Sequence, residues 1–462
     1  MSMPDVNAVL AYAETGLEHS QKRLFELLRI PSISADPAFH ADCDKAAQMI
    51  VAGLHELGFV AEARRTAGRP MVVAHYTPKN ANPKTPHYLF YGHYDVQPAD
   101  PLDLWNSPPF EPTIREGAIY GRGAADDKGQ FMTFVEAARA WIGATGSLPI
   151  KATFLIEGEE ESGSPSLAPF LKANARELSC DAAFICDTEM WDAKTPAITT
   201  RLRGLVHEEI TITGPRIDLH SGMYGGAAMN PIRVLTKLLA ALHDRNGKVT
   251  IPGFYDGVAE LSRPTRAQWQ GLKFSERKFM RAVGLAQPAG EKGRGVLEQI
   301  WARPTAEVNG IWGGYQGAGS KTVLPSKAHA KLTFRLVGKQ NPAKVLKAFQ
   351  TFAKAHIPKD CKLEFSGRGG GTPASEIAED NPLIEKSALA LSQEFKRDAV
   401  LIGSGGSIPI CRFFKDILQM DSVLIGFSLH DDAIHSPNEK YNLESFRRGI
   451  RSWVRIIDAV AG

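Results

Sequence analysis

The chain has 462 residues, of which 43% are hydrophobic and 23% are charged, and its formal net charge is +3. This balance is typical of a soluble globular protein, and a chain of this length is expected to form two domains. The small net charge gives no indication of a nucleic-acid or membrane-surface partner. Because no stretch approaches 18 apolar residues, the sequence predicts no membrane span.

Cysteine usage and the N-terminal stretch bear on the compartment. The five cysteines are scattered and include no CxxC pair, which argues against a disulfide framework or a zinc ribbon. The first residues lack a basic segment followed by an apolar core, so we expect no signal peptide. Together these features predict a cytoplasmic protein.

Strand and helix patterns alternate in the first part of the chain. Apolar spacing predicts helices over residues 6–28, 45–57 and 131–142, and a short helix after Pro165. Runs rich in β-formers predict strands over 59–64, 71–76, 87–92, 151–156 and 181–187. This order is typical of an α/β layer with a mostly parallel mixed sheet flanked by helices.

The pattern changes near His207 and returns near residue 376. Between them, strands over 207–214, 330–338 and 362–365 and helices over 231–243 and 342–356 are typical of a small α+β domain. Helices over 382–394 and 443–460 and a strand over 422–427 then resume the first pattern. We therefore predict an inserted domain, 208–375, within a discontinuous outer domain, 1–207 and 376–462.

An acidic stretch follows the predicted strand 151–156. IEGEEESGS carries four glutamates, Glu157, Glu159, Glu160 and Glu161. Such a cluster at a strand end is either a solvated acidic turn or the neighbour of a positive ion, because like charges raise one another's pKa.

Residues that can bind metal ions also stand at the ends of other predicted strands. His93 and Asp95 follow one strand, and Asp187 ends another. Asp126 and Asp127 lie in a glycine-flanked loop that opens a helix, and His430, Asp431, Asp432 and His435 follow strand 422–427. Each of these residues could instead have an ordinary structural role, as a surface histidine, a helix N-cap or a turn aspartate. As a set, histidines and carboxylates at the ends of separate strands favour a two-metal hydrolase.

Other nucleotide-binding and catalytic motifs are incomplete in this sequence. Asp126 stands where GxGxxG needs its last glycine, and Ser320 interrupts the phosphate loop that GGYQGAGSKT resembles. VHEEIT lacks the second histidine of a zincin helix. Neither Ser404 nor Ser407 lies within GxSxG, so a serine hydrolase is unsupported.

Nine segments follow one another along the chain: YGHYDVQP, YGRGAADDKG, EGEEESGS, LRG, DLHSGMYGG, KTVLP, FRLV, GGSIP and IHSPNEK. In this order they resemble the co-catalytic metallopeptidase family that includes carnosinases, aminoacylase and succinyl-diaminopimelate desuccinylase. The likeness runs from about Arg29 to the C-terminus. It is strongest to the cytosolic non-specific dipeptidases. GFSLHDDAIHS, with its bulky Phe427 and additional His430, is more similar to the bacterial branch.

The resemblance implies two divalent ions, zinc or manganese, and a role for each residue. Asp126 would bridge the ions, with a cis peptide bond after it. The remaining ligands would be His93 and Asp187 on one ion and Glu161 and His435 on the other. Asp95 would orient His93. Glu160 would be the general base for a hydroxide that bridges the ions, and Glu157 and Glu159 would have no part in the chemistry.

The same resemblance makes the inserted domain a lid and dimerisation domain of a homodimer. His220 would stabilise the oxyanion and Thr322 would bind substrate, both in the partner subunit's active site. Arg335 and Ser407 would hold the terminal carboxylate of the substrate. The implied activity is hydrolysis of dipeptides, with deacylation of N-acyl amino acids as the alternative in the same fold.

Overall fold

The computed structural model describes residues 5–367, 370–406 and 408–462. The strands of these residues, in chain order, are β1 (Val60–Arg64), β2 (Met71–Tyr76), β3 (His87–His93), β4 (Thr113–Arg115), β5 (Ala118–Tyr120), β6 (Lys151–Glu157), β7 (Ala182–Ile185), β8 (Ala197–Leu202), β9 (Gly204–Thr213), β10 (Leu219–His220), β11 (Thr305–Gly313), β12 (Val323–Leu324), β13 (Lys327–Leu336), β14 (Lys362–Phe365), β15 (Gly371–Thr372), β16 (Ser375–Glu376), β17 (Val400–Ser404), β18 (Ser422–Leu424) and β19 (Lys440–Asn442).

The α-helices are α1 (Val6–Thr15), α2 (Leu17–Leu28), α3 (His40–Glu56), α4 (Lys128–Thr145), α5 (Leu167–Ala173), α6 (Ala175–Leu178), α7 (Ser221–Tyr224), α8 (Pro231–Ala240), α9 (Arg263–Gly271), α10 (Glu276–Ala282), α11 (Val296–Trp301), α12 (Pro342–Ala355), α13 (Pro382–Phe395), α14 (Pro409–Ile417) and α15 (Leu443–Ala461). Short 3₁₀ turns cover Pro37–Phe39, Leu102–Leu104 and Glu160–Ser162.

The chain divides into two compact units. The first contains Met1–Thr200, Ile377–Ile402 and Phe413–Gly462, and the second contains Arg201–Glu376 and Gly403–Arg412. The second unit therefore begins earlier in the chain than the inserted domain that we predict and takes in a later segment. Its role as a lid and dimerisation domain stays a prediction.

The first unit is built on a mixed sheet with the strand order β1-β2-β6-β3-β7-β18-β8. The central pairs β6-β3, β3-β7 and β7-β18 are parallel, and the outer pairs are antiparallel. Helices α4 and α15 pack on each other and help to form the core, in which the rings of Phe90, Phe134, Phe154, Phe184 and Trp453 contact one another. The prediction of a mostly parallel mixed sheet flanked by helices is confirmed.

The register of the central strands brings three chain ends to one edge of the sheet. His93 at the end of β3 lies opposite Glu157 at the end of β6, and Tyr91 lies opposite Ile185 at the end of β7. Parallel strands end at the same edge, so the residues that follow β3, β6 and β7 meet there. This edge is where the acidic stretch and two of the candidate ligands emerge.

The second unit has an antiparallel sheet in the order β11-β13-β9-β14, with β15 also pairing with β9. Strand β9 alternates buried and more exposed residues along its length, which is the pattern of a sheet with one covered face. Helices α8 and α12 contribute Leu235 and Phe349 to the core on the covered face, against Ile210 and Phe334. This is the arrangement that the sequence predicts for the inserted domain.

Several elements differ from the sequence prediction. The single helix predicted over 6–28 is two helices, because the chain turns at Gly16, whose N–H donates to the carbonyl of Tyr12. Strand β11 was not predicted, since a register shift between Val308 and Gly310 breaks its alternation. Helix α14 and strand β17 were also missed, and the strand predicted over 422–427 ends at Leu424.

Two further observations concern the cysteines and the helices. All five cysteines are free. Among the helices of the described residues, none combines the length and the apolar character needed to cross a bilayer.

Candidate metal centre

The five residues predicted to bind metal ions all belong to the first unit, where each follows or precedes a regular element. His93 is the last residue of β3, Asp187 follows β7 by two residues, and Glu161 lies in the 3₁₀ turn after β6. Asp126 lies in the loop before α4, and His435 lies between β18 and β19. The end of β3 and the loops at the carboxyl edge of the sheet therefore carry all five candidate ligands.

Two groups of side chains have the geometry of metal sites, and Asp126 belongs to both. In the first group, Nε2 of His93 lies 3.0 Å from Oδ1 of Asp126 and 3.9 Å from Oδ2 of Asp187. In the second, Nε2 of His435 lies 3.0 Å from Oδ2 of Asp126 and 3.1 Å from Oε2 of Glu161. Within each group the candidate ligand atoms lie within 4.8 Å of one another. The two oxygens of Asp126 thus face different histidines, as a bridging carboxylate requires.

The protonation states of these groups reflect the crowding of charge. Contacts with Asp126 and Glu161 raise the pKa of His435 to about 10. Burial lowers the pKa of His93, but hydrogen bonds with Asp126 and Asp95 outweigh it and hold that pKa well above its usual range. Burial and the charge of Asp126 raise the pKa of Asp187. The carboxylates therefore favour positive charge at both histidines.

The donor set fits divalent ions. Imidazole nitrogen and carboxylate oxygen without thiolate are ligands that zinc and manganese accept. Three carboxylates carry three negative charges, which two divalent ions would more than neutralise. The backbone also follows the expectation from the resemblance, since the peptide bond between Asp126 and Asp127 is cis.

Asp95 supports the site in two ways, one of which the sequence did not reveal. Nδ1 of His93 lies 3.1 Å from the carbonyl oxygen of Asp95 and 3.4 Å from its carboxylate, so Asp95 orients the ring mainly through its backbone. The fully buried carboxylate accepts hydrogen bonds from the N–H groups of Glu160 and Glu161, at 3.2 and 3.0 Å, and from the hydroxyl of Ser34 at 2.6 Å. Asp95 therefore also holds the turn that carries the predicted base.

Glu160 lies beside this centre in an environment that favours a neutral carboxyl. Burial raises its pKa to about 7, and the negative charge of Glu161 adds to the shift against the opposing charge of His93. A carboxyl with a pKa near neutrality can both accept and release a proton at physiological pH.

Glu157 and Glu159 are buried rather than solvated. The carboxyl of Glu157 accepts a hydrogen bond of 2.6 Å from Tyr91, and burial raises its pKa to about 8. Glu159 accepts from the N–H of Ser166 at 3.3 Å and fills the space above Gly68. Neither glutamate belongs to the two candidate metal groups. Their hydrogen bonds with Tyr91 and Ser166 instead support the acidic turn.

Glu439 is a buried carboxylate that sequence reasoning did not single out. It pairs with Arg122 at 2.7 Å and accepts hydrogen bonds from the N–H groups of Gly123, Ala125 and Asp126 at 2.8 to 3.1 Å. Because it follows His435 by four residues, it ties the loop of one candidate ligand to the loop of another. Its place in the IHSPNEK segment was the available signal.

His430 and Phe427 lie outside the two candidate groups. His430 is exposed, and His435 is the histidine of this loop that contacts Asp126. Phe427 is fully buried, packs against Trp453 and donates its N–H to the side chain of Gln130. The bulky residue therefore belongs to the core.

The second unit carries three of the remaining predicted residues and brings two of them together. His220 ends β10, which pairs with β12, and the N–H of Ser221 donates to the carbonyl of Thr322 at 3.0 Å. Nδ1 of His220 accepts from the N–H of Gly222 at 3.0 Å, which places the ring proton on Nε2. Both side chains are exposed.

Arg335 lies on β13 of the same unit, opposite Leu205 of β9, and is partly buried. Burial lowers the pKa of its guanidinium group. Ser407, the other residue predicted to hold the substrate carboxylate, lies outside the described residues.

Comparison with known proteins identifies the class. Residues 89–459 match the model of peptidase family M20/M25/M40, which is most of the chain. The chain therefore belongs to this family of peptidases, as the sequence segments predict.

Individual relatives narrow the class. The chain is 30% identical to the Cys-Gly metallodipeptidase dug1 of Schizosaccharomyces pombe, over 95% of both chains. It is also 30% identical to the human Beta-Ala-His dipeptidase, over 78% of this chain and 72% of that protein. Among solved structures, an M20 family metallo-carboxypeptidase from Sulfolobus solfataricus, Sso-CP2, superposes with a TM-score of 0.81 at 29% identity, over 96% and 99% of the two chains.

Proposed function

We propose that this protein is a metal-dependent dipeptidase in which Glu160 is the general base and two divalent ions, zinc or manganese, are held by the centre described above. The observation that carries the proposal is the position of Asp126, whose two oxygens serve two separate groups of ligands. The predicted metallo-dipeptidase activity is confirmed at the level of the family and its metallodipeptidase relatives, and the N-acyl amino acid alternative is not favoured.

In this proposal the first group, His93, Asp126 and Asp187, holds one ion, and Asp126, Glu161 and His435 hold the other. When bound, such ions lower the pKa of a water molecule and polarise a peptide carbonyl. Asp95 keeps His93 in place, and Glu439 keeps the Asp126 loop in place. The ligands are thereby fixed before substrate arrives, which is the purpose of supporting residues around a metal site.

Glu160 accepts a proton from the attacking water and delivers it to the leaving amine. Its pKa, raised to about 7 by burial, suits a group that must be deprotonated at the start and protonated midway. The hydrogen bond between its own N–H and Asp95 holds the backbone from which the carboxyl extends.

The residues of the second unit would recognise the substrate. His220 can donate from Nε2 to the oxyanion of the tetrahedral intermediate, because its Nδ1 already accepts a hydrogen bond. We further propose that His220 and Thr322 act in the active site of a partner subunit, in a homodimer.

Arg335 and Ser407 would bind the free carboxylate at the end of the substrate. A guanidinium group can pair with both oxygens of a carboxylate, which makes it suited to this task. Recognition of a terminal carboxylate restricts cleavage to the peptide bond next to a free C-terminus. A cytoplasmic location remains a prediction of the cysteine pattern.

A peptide panel on metal-stripped protein tests the activity. Cys-Gly, β-Ala-His, Ala-containing dipeptides and N-acetyl amino acids would be compared before and after zinc or manganese is added back. We expect the dipeptides to be hydrolysed only in the presence of metal. A strong preference for N-acetyl amino acids would instead support the deacylase alternative.

The role of Glu160 is tested by the Glu160→Gln variant. We expect turnover to fall by roughly 10²- to 10⁴-fold, the usual contribution of a general base, with two ions still bound per subunit. Metal content is measured by elemental analysis alongside kcat. The Glu177→Gln variant, altered on the surface in a pair with Arg64, is the matched control. Full activity of Glu160→Gln would overturn the mechanism.

A further inference from the structure

The LRG segment of the sequence has no role in the function proposed so far. Its arginine, Arg203, lies between β8 and β9 in the second unit and is partly buried. Arg203 directly precedes β9, and Arg335 on β13 pairs with Leu205, two residues after Arg203. The charge of Arg335 also acts on the guanidinium of Arg203, so the two cations are neighbours.

Arg203 also holds the glycine loop that leads to Ser407. Its Nε donates to the carbonyl of Gly405 at 3.1 Å, and its backbone N–H donates to the carbonyl of Gly406 at 3.0 Å. A Cβ atom at Gly405 would lie 2.9 Å from Nη2 of Arg203, so the guanidinium packs directly on the loop backbone. A larger residue at Gly405 would displace this guanidinium group.

The electrostatic setting of Arg203 favours an anion. Burial and the positive charge of Arg335 lower the pKa of Arg203 to about 10, and the negative charge of Glu307 offsets only part of this shift. Two guanidinium groups in a partly desolvated place repel each other, and an anion bound beside them would relieve that repulsion. A carboxylate suits this place, because a guanidinium group can donate two parallel hydrogen bonds to it.

We propose that Arg203 is a positioning residue for the substrate's terminal carboxylate, which fixes the Gly405–Gly406 backbone and places a second positive charge beside Arg335. The proposal rests on the proposed function in one respect, that Arg335 receives the carboxylate. It holds equally for a dipeptide and for an N-acyl amino acid, since both end in a carboxylate. A dipeptide amide lacks that charge and should bind without help from Arg203.

The test measures binding without turnover. Metal-loaded Glu160→Gln protein is titrated by calorimetry with Ala-Ala, with its C-terminal amide and with N-acetylalanine, alone and with Arg203→Gln, Arg203→Lys or Lys331→Gln added. Lys331 is an exposed cation on the same strand as Arg335 and is the matched control for lost charge. KM and kcat of the same substitutions are measured in protein that retains Glu160.

We expect Arg203→Gln to weaken binding of the carboxylate ligands by about tenfold or more, as for a lost charge-assisted contact, and to leave the amide nearly unchanged. KM should rise more than kcat falls. Arg203→Lys should recover part of the affinity, because it keeps the charge and loses the bond to Gly405. Lys331→Gln should bind like its parent.

Other results overturn the proposal in distinguishable ways. Unchanged carboxylate binding in Arg203→Gln, or an equal loss for the amide, would leave Arg203 with a structural role only. If the parent binds N-acetylalanine and not Ala-Ala, the proposed dipeptidase fails while the role of Arg203 is still decided on the acyl ligand. If the parent binds neither carboxylate ligand, both proposals fall.

Discussion

At the scale of single residues, the carboxylates of the centre raise the pKa of both histidines. His435 contacts two carboxylates, which raise its pKa to about 10, and the pKa of His93 is also held well above its usual range. A metal ion binds only the neutral imidazole, so each histidine must lose its proton when an ion enters. The metal affinity should therefore rise with pH up to about 10, where the metal-free His435 itself deprotonates.

This predicts proton release on metal binding. Zinc titrated into metal-free protein at pH 8 should release about two protons per subunit, one from each histidine. Calorimetry in two buffers of different ionisation enthalpy measures the number. A His435→Asn variant should release about one proton fewer. Heats that do not depend on the buffer would contradict the protonated state of both rings.

The same raised pKa has a consequence for the metal-free fold. A histidine whose pKa is raised on folding stabilises the protein fully below its unfolded pKa of about 6.5. That contribution is lost as the pH rises through about 10, the pKa of folded His435. The metal-free protein should therefore lose thermal stability over this window, and a metal ion should restore it.

At the scale of elements, the site depends on loops that buried carboxylates hold together. The Asp126 loop precedes α4, and Glu439 supports its conformation by accepting three of its N–H groups and pairing with Arg122. Burial raises the pKa of Glu439 to about 7 against the opposing charge of Arg122. Such a carboxylate is retained only where its hydrogen bonds compensate for burial.

Glu439→Gln should loosen this loop. We expect metal affinity to fall roughly 10- to 100-fold, as when a supporting residue around a metal site is lost, and the melting temperature to fall because the charge of Arg122 stays buried without its partner. Competition with a chromophoric chelator and thermal unfolding measure the two effects. Glu444→Gln, at an exposed position of α15, is the control. An unchanged metal affinity would show that the loop holds its shape without Glu439.

At the scale of the whole molecule, the proposed activity needs residues from both units and, for His220, from a second chain. The chain itself has a mass of 50.4 kDa, so a homodimer should sediment at about twice that mass. Closed two-fold pairs are the commonest assembly of identical chains, and each subunit would donate its His220 to the other.

Complementation tests this exchange. Glu160→Gln and His220→Ala proteins should each be inactive alone, but in a mixed dimer one site combines an intact Glu160 with the partner's intact histidine. Co-expression in equal amounts should restore about a quarter of the wild-type activity, because half of the dimers are mixed and each has one intact site. Two affinity tags isolate the mixed dimer for assay. No recovery in the isolated mixed dimer would place His220 in its own subunit's site. Full activity of the His220→Ala protein by itself would place His220 outside the chemistry.

Much of the fold and of the candidate centre was predictable because local patterns carry it. Apolar alternation and helical spacing reveal strands such as β3, β6 and β7, and histidines and carboxylates follow directly at their ends. Where the pattern is broken locally the prediction failed, as at Gly16 and in the bulged strand β11. Both failures arise where a tertiary or backbone constraint outweighs the residue periodicity.

The sequence by itself determined the family, the α/β class and the set of residues able to bind metal ions. Only the tertiary structure revealed that the two oxygens of Asp126 face different histidines, that Asp95 and Glu439 hold the loops, and that Arg203 packs on the glycine loop beside Arg335. These facts depend on distances between residues far apart in the chain. Periodicity and motif spacing describe neighbours along the chain, whereas burial and charge pairing arise only when the folded sheet brings distant loops to one edge.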